Sequence, residues 1–239
     1  MDKRLLIFDF DGTLGDTFLH IYNCFKRCIV KYNLNDISVE DFLKINGSSL
    51  IDILKLLGAS DDKIEEIMLF YRSSFLDDIS DIILYDNVKD TLIDLKNRGY
   101  LLAIATNRDS NSLSYMLKEF GMFDLFDTYV CIDQVENGKP DPEMINVILD
   151  RLNVRCENAI MIGDTNFDIL LGQNAKVSTC YACHTKEEDK KVMDCNPDYV
   201  IYNFEEILSF VEKWHLFFYF YRQKLIDLIK CIYKIFWRK

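Results

Sequence analysis

Short runs of apolar residues, each followed by polar turn residues and then by a segment with helical spacing, recur through most of the chain. The runs lie at residues 5–8, 100–105, 128–132, 159–162, 177–182 and 199–201. Strands of a parallel sheet read as continuous apolar runs because helices cover both faces of the sheet. Helical periodicity fits residues 87–98, 110–120, 141–152 and 203–213. The pattern therefore predicts an α/β fold with a Rossmann-like parallel sheet.

Residues 17–84 follow a different pattern. Their apolar residues are spaced by three and four positions through 18–32, 39–45, 49–57 and 63–76, as expected for amphipathic helices. No strand is predicted in this region. We therefore expect an all-helical cap at 17–84, inserted after the first strand of a core that comprises residues 1–16 and 85–213.

The last segment, residues 214–239, is rich in basic and aromatic residues. It carries six Lys or Arg residues against the single acid Asp227, and its polar positions recur every three or four residues. This spacing predicts an amphipathic helix. One interpretation is that its apolar face packs on the core or on a second copy of the chain, so that the protein is a monomer or a homodimer. The other is peripheral contact with anionic lipid, in which the aromatic residues enter the headgroup boundary: Trp214, Phe217, Phe218 and Trp237.

Composition narrows the classes of function. The net charge of −11 argues against non-specific nucleic-acid binding, although a bound metal could still attract an anionic substrate. The N-terminus has no signal-peptide pattern, and no uncharged apolar stretch is long enough to span a bilayer. These features predict a cytoplasmic protein, peripheral at the membrane if the C-terminal helix binds lipid. We expect its eight cysteines to be thiols.

One cysteine cluster formally matches a haem-attachment pattern. The segment "CYACH", residues 180–184, has the spacing C-x-x-C-H. Haem attachment would require export, and the preceding residues read as a strand. We interpret the cluster as strand packing, with no assigned chemical role.

Residues whose side chains can take part in catalysis or metal binding follow four of the apolar runs. In open parallel sheets, ligands bind outside the carboxyl ends of the strands, so these positions converge on one edge. The residues are Asp9 and Asp11 after the first run, Thr106, Asn107 and Arg108 after the second, Lys139 in the loop after the third, and Asp164 and Asp168 after the fourth.

This set suits phosphoryl transfer, in which catalysis consists mainly of positioning and charge neutralisation. Asp9, Asp164 and a backbone carbonyl would form an all-oxygen site suited to Mg²⁺. Thr106 and Asn107 can donate hydrogen bonds to phosphate oxygens, and Lys139 adds a compact positive charge. No Walker-type glycine-rich loop is present, so a nucleoside triphosphate is not indicated.

Four segments carry a family resemblance: "DFDGTLGDT", "AIATNRD", "GKPDPE" and "MIGDTNFDI". In this order, and over residues 4 to about 212, the chain resembles the haloacid dehalogenase superfamily. Within it, the chain is similar to the phosphoglycolate-phosphatase-like branch with a helical cap. The resemblance implies a Mg²⁺-dependent phosphatase whose substrate is a small phosphorylated metabolite, such as a phosphoglycolate-like compound or a sugar phosphate.

The same resemblance implies roles for individual residues. Asp9 would be the nucleophile that forms an aspartyl-phosphate. Asp11 would protonate the leaving group and then deprotonate water, while its backbone carbonyl binds the metal. Asp164 would be a metal ligand, and Asp168 would hold Lys139 or a metal-bound water in place. The chain departs from the family pattern at Asp86-Asn87, where a Pro-Gly pair is common, and at Lys176, where glycine is usual.

Two alternatives remain open. The first is a phosphohexomutase of the β-phosphoglucomutase type, a branch that carries a histidine five residues after the aspartate of its Asp-Thr pair. Here His20 lies four residues after Asp16, which turns the side chain by about 100° on a helix. The second is a regulatory or scaffold protein that keeps the fold and is recruited through its tail. The intact set of aspartates and Lys139 argues against this second alternative.

Overall fold

The computed structural model describes residues 4–211, apart from residues 46, 78 and 186. In chain order the strands are β1 (Leu5–Phe8), β2 (Gly15–Asp16), β3 (Ile83–Leu84), β4 (Leu101–Thr106), β5 (Thr128–Cys131), β6 (Ala159–Gly163), β7 (Ser178–Ala182) and β8 (Tyr199–Ile201). Six of them form one parallel sheet in the order β5-β4-β1-β6-β7-β8. The predicted α/β fold with a Rossmann-like sheet is confirmed.

Helices connect these strands and form the insertion after β2. They are α1 (Phe18–Tyr32), α2 (Val39–Lys44), α3 (Leu50–Leu56), α4 (Ile64–Asp77), α5 (Val88–Asn97), α6 (Ser110–Glu119), α7 (Glu143–Leu152), α8 (Asn166–Asn174) and α9 (Lys190–Met193). The chain forms two compact units, of which the first ends at Phe204. In the second unit, residues 206–211 are helical.

Strand β1 lies in the middle of the sheet, and all four of its residues are fully buried. Leu5 and Ile7 pack in one cluster with Ile145 and Ile148 of α7. Burial of both faces explains why this strand is a continuous apolar run. The central position of β1 also brings its carboxyl end close to the ends of β4 and β6.

The cap has an apolar core of its own. Phe25 of α1, Phe42 of α2, Leu54 of α3 and Ile67 of α4 are buried in one cluster. The Phe42 ring lies 5.2 Å from the Phe25 ring, measured between centroids. The four helices therefore enclose an apolar interior that is separate from the interior of the sheet.

The sequence interpretation missed one element of the cap. Residues Ile83–Leu84 form the strand β3, which pairs antiparallel with β2, whereas no strand was predicted between 17 and 84. Two residues are too few to show alternation, and their partner lies far away in sequence. The antiparallel ribbon formed by β2 and β3 lies at the two boundaries predicted for the cap.

Two departures from the family pattern occupy left-handed turns. Asn87 has φ 62° and Lys176 has φ 59°. Asparagine tolerates this conformation because its short polar side chain can hydrogen-bond locally, whereas lysine adopts it at a larger steric cost. Both turns therefore keep a glycine-like backbone without glycine.

The amphipathic helix predicted for 214–239 lies outside the described residues. Within residues 4–211, no helix combines the length and the apolar composition needed to cross a bilayer. The seven cysteines of this part of the chain are free thiols. Cys180 is buried in the middle of β7, and Cys183 is buried just after the end of this strand.

Candidate active site

The candidate site forms where three neighbouring strands end. Phe8 of β1 is in register with Ile104 of β4 and Ile162 of β6. The next residue, Asp9, continues the pairing, because its backbone N–H donates to the Ile162 carbonyl at 2.9 Å. Asp9 therefore lies between Thr106, the last residue of β4, and Asp164, which follows β6.

Lys139 binds two carboxylates at once. Its Nζ lies 2.8 Å from Asp9 Oδ1 and 2.6 Å from Asp168 Oδ1. The lysine is 9% exposed, and its backbone N–H donates to Asn107 Oδ1 at 3.1 Å. A buried lysine needs such partners because desolvation of its ammonium group is costly.

Asp168 is fully buried, and its Oδ1 binds the Lys139 ammonium group. Its second oxygen, Oδ2, accepts hydrogen bonds from the Thr165 backbone N–H at 3.0 Å and the Thr165 hydroxyl at 2.7 Å. The bond from the Thr165 backbone N–H is one half of the capping box at the start of α8. A side chain at Gly163 would collide with the Asp168 carboxylate, so the strand end accommodates this carboxylate only with glycine there.

Asp164 is positioned by the loop that follows Asp9. Its Oδ1 accepts a hydrogen bond from the Thr13 hydroxyl at 2.8 Å. Gly12 has φ 75°, and a Cβ at that position would collide with the Asp164 carboxylate. The loop can therefore approach Asp164 closely only because residue 12 is glycine.

These acids fit a divalent cation. One oxygen each of Asp9, Asp164 and Asp168 lies within 4.8 Å of the other two. Both oxygens of Asp168 already accept from Lys139 and Thr165, so Asp9 and Asp164 are the carboxylates best able to bind a metal. An all-oxygen set that includes two carboxylates is typical of magnesium sites.

The electrostatics of the acids support the same conclusion. Burial, opposed by Lys139, raises the pKa of Asp9 to about 7. Burial and the neighbouring Asp168 and Asp9 carboxylates raise the pKa of Asp164 well above its usual value. The pKa of Lys139 is also raised, because the Asp168 and Asp9 carboxylates outweigh the effect of burial. A bound cation would relieve the repulsion between Asp9 and Asp164.

Asp11 lies beside this cluster and pairs with Arg108. Arg108 Nε donates to Asp11 Oδ2 at 3.1 Å, and Arg108 Nη2 donates to Asp11 Oδ1. The sequence interpretation noted Arg108 at the strand end but assigned it no role. Its position two residues after Thr106 was the available signal, but the pairing with Asp11 joins positions 97 residues apart.

Thr106 and Asn107 connect the strand end to its surroundings. The Thr106 hydroxyl is buried and accepts from the Arg108 backbone N–H at 3.2 Å. Asn107 Nδ2 donates to the Gly47 carbonyl of the cap at 3.4 Å, while its Oδ1 binds the Lys139 backbone. Asn107 thus links the loop that carries Lys139 to the cap.

A cleft of about 860 Å³ opens between this edge of the sheet and the cap. Its core-side lining includes Asp9, Asp11, Thr106, Asn107, Arg108 and Lys139. Its cap-side lining includes Ser48, Ser49, Tyr71, Arg72 and Phe75. The cleft is large enough for a small phosphorylated molecule, and it combines charged groups at its base with aromatic groups on the cap side.

Two histidines near the cleft are engaged in hydrogen bonds. His20 is 3% exposed, and its Nε2 donates to the Phe75 carbonyl at 2.9 Å. His184 follows β7, stacks on Tyr85 with ring centroids 3.6 Å apart, and donates from Nε2 to the Thr13 carbonyl at 3.0 Å. His184 thereby supports the loop that positions Asp164, a role that its sequence context did not reveal.

Sequence comparison identifies relatives over most of the chain. Residues 6–182 match the family model of haloacid dehalogenase-like hydrolases. A pyrophosphatase PpaX from Oceanobacillus iheyensis is 30% identical over 212 residues, which cover 88% of this chain and 98% of the relative. A pyrophosphatase PpaX from Bacillus mycoides is 32% identical over 214 residues, which cover 89% of this chain and 99% of the relative.

Solved structures share the fold. A protein described as a predicted phosphoglycolate phosphatase from Haemophilus somnus superposes with a TM-score of 0.78 at 21% identity, covering 88% of this chain and 99% of that one. A haloacid dehalogenase-like family hydrolase from Streptococcus pneumoniae gives a TM-score of 0.74 at 24% identity, covering 87% and 98%. The resemblance stated from the sequence is confirmed: the chain belongs to the haloacid dehalogenase-like hydrolases, on the phosphatase branch that carries a helical cap.

Proposed function

We propose that the protein is a Mg²⁺-dependent phosphohydrolase that transfers a phosphoryl group from a small phosphate compound to Asp9 and then to water. The observation that carries this proposal is the position of Lys139, bonded to both Asp9 and Asp168 at the base of the cleft. Asp164 lies within reach of the same group of oxygens. Lys139, together with a cation held by Asp9 and Asp164, would supply the positive charge that an anionic substrate needs at the base of the cleft.

In the first step, a carboxylate oxygen of Asp9 attacks phosphorus as the bond to the leaving oxygen breaks. The electron pair of the broken bond stays on the leaving oxygen, which takes a proton from Asp11 when it is an alkoxide. In the second step, Asp11 removes a proton from water, whose oxygen attacks phosphorus. Orthophosphate leaves and the Asp9 carboxylate is restored. Asp11 suits both steps because it lies two residues from Asp9 and lines the same cleft.

Asp9, Asp164 and the Asp11 carbonyl would hold Mg²⁺, which supplies positive charge that offsets the repulsion between the nucleophile and the phosphate. Lys139 would bind a phosphoryl oxygen while Asp168 fixes its Nζ. The Thr106 hydroxyl and the Asn107 amide are candidate donors to the same phosphoryl group. These donors would hold the phosphoryl group in line with Asp9.

Two substrate classes are supported by different observations. The resemblance to phosphoglycolate phosphatases favours a small phosphomonoester. The similarity to the pyrophosphatases PpaX of O. iheyensis and B. mycoides favours pyrophosphate. The buried position of His20, bonded to the Phe75 carbonyl, gives no support to a mutase that would need a histidine proton shuttle.

The test is phosphate release from pyrophosphate and a panel of small phosphomonoesters, with Mg²⁺ and with EDTA. We expect Mg²⁺-dependent release by the wild type and none by Asp9→Asn. Asp94→Asn is the matched control, because Asp94 is an acid of α5 that pairs with Arg98 and does not line the cleft. Undiminished turnover in Asp9→Asn would refute the assigned nucleophile.

A further inference from the structure

Arg108 is a buried cation of the cleft to which the proposed reaction assigns no task. Its side chain is 6% exposed, yet the residue lines the cleft together with Asp9 and Asp11. An arginine in such a position is costly unless its charge is matched. Among its described contacts, Asp11 is the only carboxylate that accepts hydrogen bonds from the Arg108 side chain, and it does so with both oxygens.

The position of the guanidinium is fixed from the core and from the cap. On the core side it binds both oxygens of Asp11, and its Nη1 lies 3.5 Å from Ser112 Oγ. On the cap side its Cζ lies 3.9 Å from the centroid of the Phe75 ring. A planar cation that is hydrogen-bonded to a carboxylate and also contacts an aromatic ring is held in one orientation.

Part of the hydrogen-bonding capacity of Arg108 remains available to a ligand. A guanidinium has five N–H donors, and the bonds described above use three of them. The pKa of Arg108 is raised, because the Asp11 carboxylate outweighs the opposing effect of burial. The group is therefore a permanent cation with donors to spare at the wall of the cleft.

The neighbouring charges leave Arg108 able to face an anion. Lys139 is already shared between Asp9 and Asp168. Asp109, the acid next to Arg108, accepts from the Ser112 backbone N–H at 3.1 Å and the Ser112 hydroxyl at 2.9 Å, and lies 3.9 Å from Arg72 Nε. Arg108, paired with Asp11, and Arg72, paired with Asp109, are therefore cations of the cleft lining in addition to Lys139.

The proposed reaction places the leaving group on this side. In an in-line displacement the leaving oxygen departs opposite the attacking Asp9 oxygen. Asp11, which serves the leaving oxygen, must lie on that side, and Arg108 is bonded to Asp11. The guanidinium is therefore adjacent to whatever the leaving oxygen carries.

We propose that Arg108 binds an anionic group on the leaving side of the substrate, either a second phosphoryl group or a carboxylate, and thereby selects substrates with two anionic groups. This inference rests on the proposed function and adds the substrate class. Guanidinium forms paired hydrogen bonds with phosphate and carboxylate oxygens alike, which is why the two sources share one site. With pyrophosphate, the bridging oxygen keeps the electron pair of the broken bond, and the leaving group is orthophosphate bound to Arg108.

The experiment compares kcat/KM for three substrates at saturating Mg²⁺: pyrophosphate, 2-phosphoglycolate and ethyl phosphate. The first carries a second phosphoryl group, the second a carboxylate, and the third a neutral group of similar size. We expect the wild type to favour at least one of the first two. Arg108→Gln should lower kcat/KM for that substrate about 10- to 100-fold more than for ethyl phosphate, the usual cost of charge-assisted hydrogen bonds. Whichever substrate loses more identifies the anion.

Controls separate recognition from support of Asp11. Arg108→Lys keeps the charge but not the paired geometry, and should give an intermediate selectivity. Arg27→Gln is the matched control, since Arg27 is a cap arginine that donates to the Ser74 carbonyl and should not alter the substrate ratios. An equal loss for all three substrates in Arg108→Gln would overturn the proposal and leave Arg108 as a residue that only positions Asp11.

A measurement on the unaltered protein covers the case in which Arg108→Gln does not fold. Calorimetry with Mg²⁺ in excess should show methylenediphosphonate or phosphonoacetate binding at least about 10-fold more tightly than methylphosphonate. Equal affinities for the three phosphonates would contradict the proposal. Failure of the wild type to hydrolyse any substrate would instead count against the proposed function, so the two failures are distinguishable.

Discussion

The edge of the sheet and the cap contribute to the cleft in different ways. At the sheet edge, charged side chains are locked by short bonds to one another, as Lys139 is between Asp9 and Asp168. The cap presents aromatic and hydroxyl groups, such as Tyr71, Phe75 and Ser48, around a helical interior of its own. The charged groups of the proposed reaction therefore lie at the edge of the sheet, and the cap adds aromatic and hydroxyl groups on the opposite side of the cleft.

The largest expected effect is on the sheet side. Lys139→Met removes the only described partner that bridges Asp9 and Asp168, and it should lower kcat/KM by about 10³-fold or more, as expected for loss of a preorganised charge at a phosphoryl group. Steady-state kinetics would measure this loss. Lys96→Met, which breaks the exposed pair with Asp127, is the control and should retain activity. Near-normal turnover in Lys139→Met would remove the distinction between the two regions.

On the cap side, a comparable perturbation should affect folding more than chemistry. Phe42 is fully buried and its ring contacts those of Phe18, Tyr22 and Phe25. Phe42→Ala should lower the free energy of unfolding by about 3–5 kcal/mol, because it leaves a cavity in the cap. Urea titration would measure it. At temperatures where the variant stays folded, Mg²⁺ binding should be unchanged, and a loss of metal affinity would show that the two regions are not separate.

In the metal-free protein, the difference in pH dependence between the wild type and Asp9→Asn should report on the sheet side. Burial raises the pKa of Asp9 in the folded protein to about 7, against 3.8 for an ordinary aspartate, so the folded state holds a proton that the unfolded state releases. Stability in EDTA should therefore fall as pH rises from about 4 to 7, by up to about 4 kcal/mol. Mg²⁺ should restore it most strongly at pH 8.

Thermal unfolding in EDTA and in Mg²⁺, from pH 4.5 to 8, would measure this dependence. Asp9→Asn cannot titrate, so its stability in EDTA should vary less with pH than that of the wild type. A pH profile that is the same in the wild type and in the variant would contradict the assignment of the shifted group. The cap also contributes in this pH range, since burial lowers the pKa of His20. Both proteins carry His20, so the difference between the wild type and Asp9→Asn isolates the contribution of Asp9.

The smallest expected effect concerns two left-handed turns. Lys176→Gly in the core should raise the free energy of unfolding by about 0.5–1 kcal/mol, since glycine avoids the steric cost at φ 59° but loses more entropy on folding. Asn87→Gly, near the return from the cap, should change it by only a few tenths, because asparagine tolerates the same conformation. Denaturant titration of the two variants side by side would check the difference. Equal effects would mean that side-chain contacts, rather than the backbone, decide both positions.

How much the sequence could predict depends on whether a feature is local. The strands β1 and β6 are runs of four or five buried residues, and a run of this kind is visible in the sequence itself. The ribbon of β2 and β3 was not predicted, because each strand has only two residues and the paired residues are almost 70 positions apart in the sequence. A feature that depends on pairing across the insertion has no local signal.

The site shows the same division. Asp9, Asp164 and Lys139 could be proposed because each follows a strand end, and the rule for parallel sheets brings strand ends together. The pairing of Arg108 with Asp11, and the contact of Arg108 with Phe75, could not be proposed in this way. The contact with Phe75 depends on the distance between the cap and the sheet, which no pattern within either region specifies. The pairing with Asp11 depends on side-chain geometry at the shared edge, which strand ends alone do not specify.

The ribbon at the base of the cap has a consequence for how such a protein can change. Gly15 pairs with Leu84 and Asp16 with Ile83, so the chain leaves the core and returns to it at adjacent positions. Because the chain leaves and rejoins the core at paired residues, the whole cap is topologically equivalent to the loop of a hairpin. The length of the cap therefore imposes no strain on the register of β1 with β4. A different helical module could therefore be exchanged at this junction by recombination while the strand ends stay in place. New specificities could then arise by replacement of a part rather than by gradual alteration of the catalytic edge.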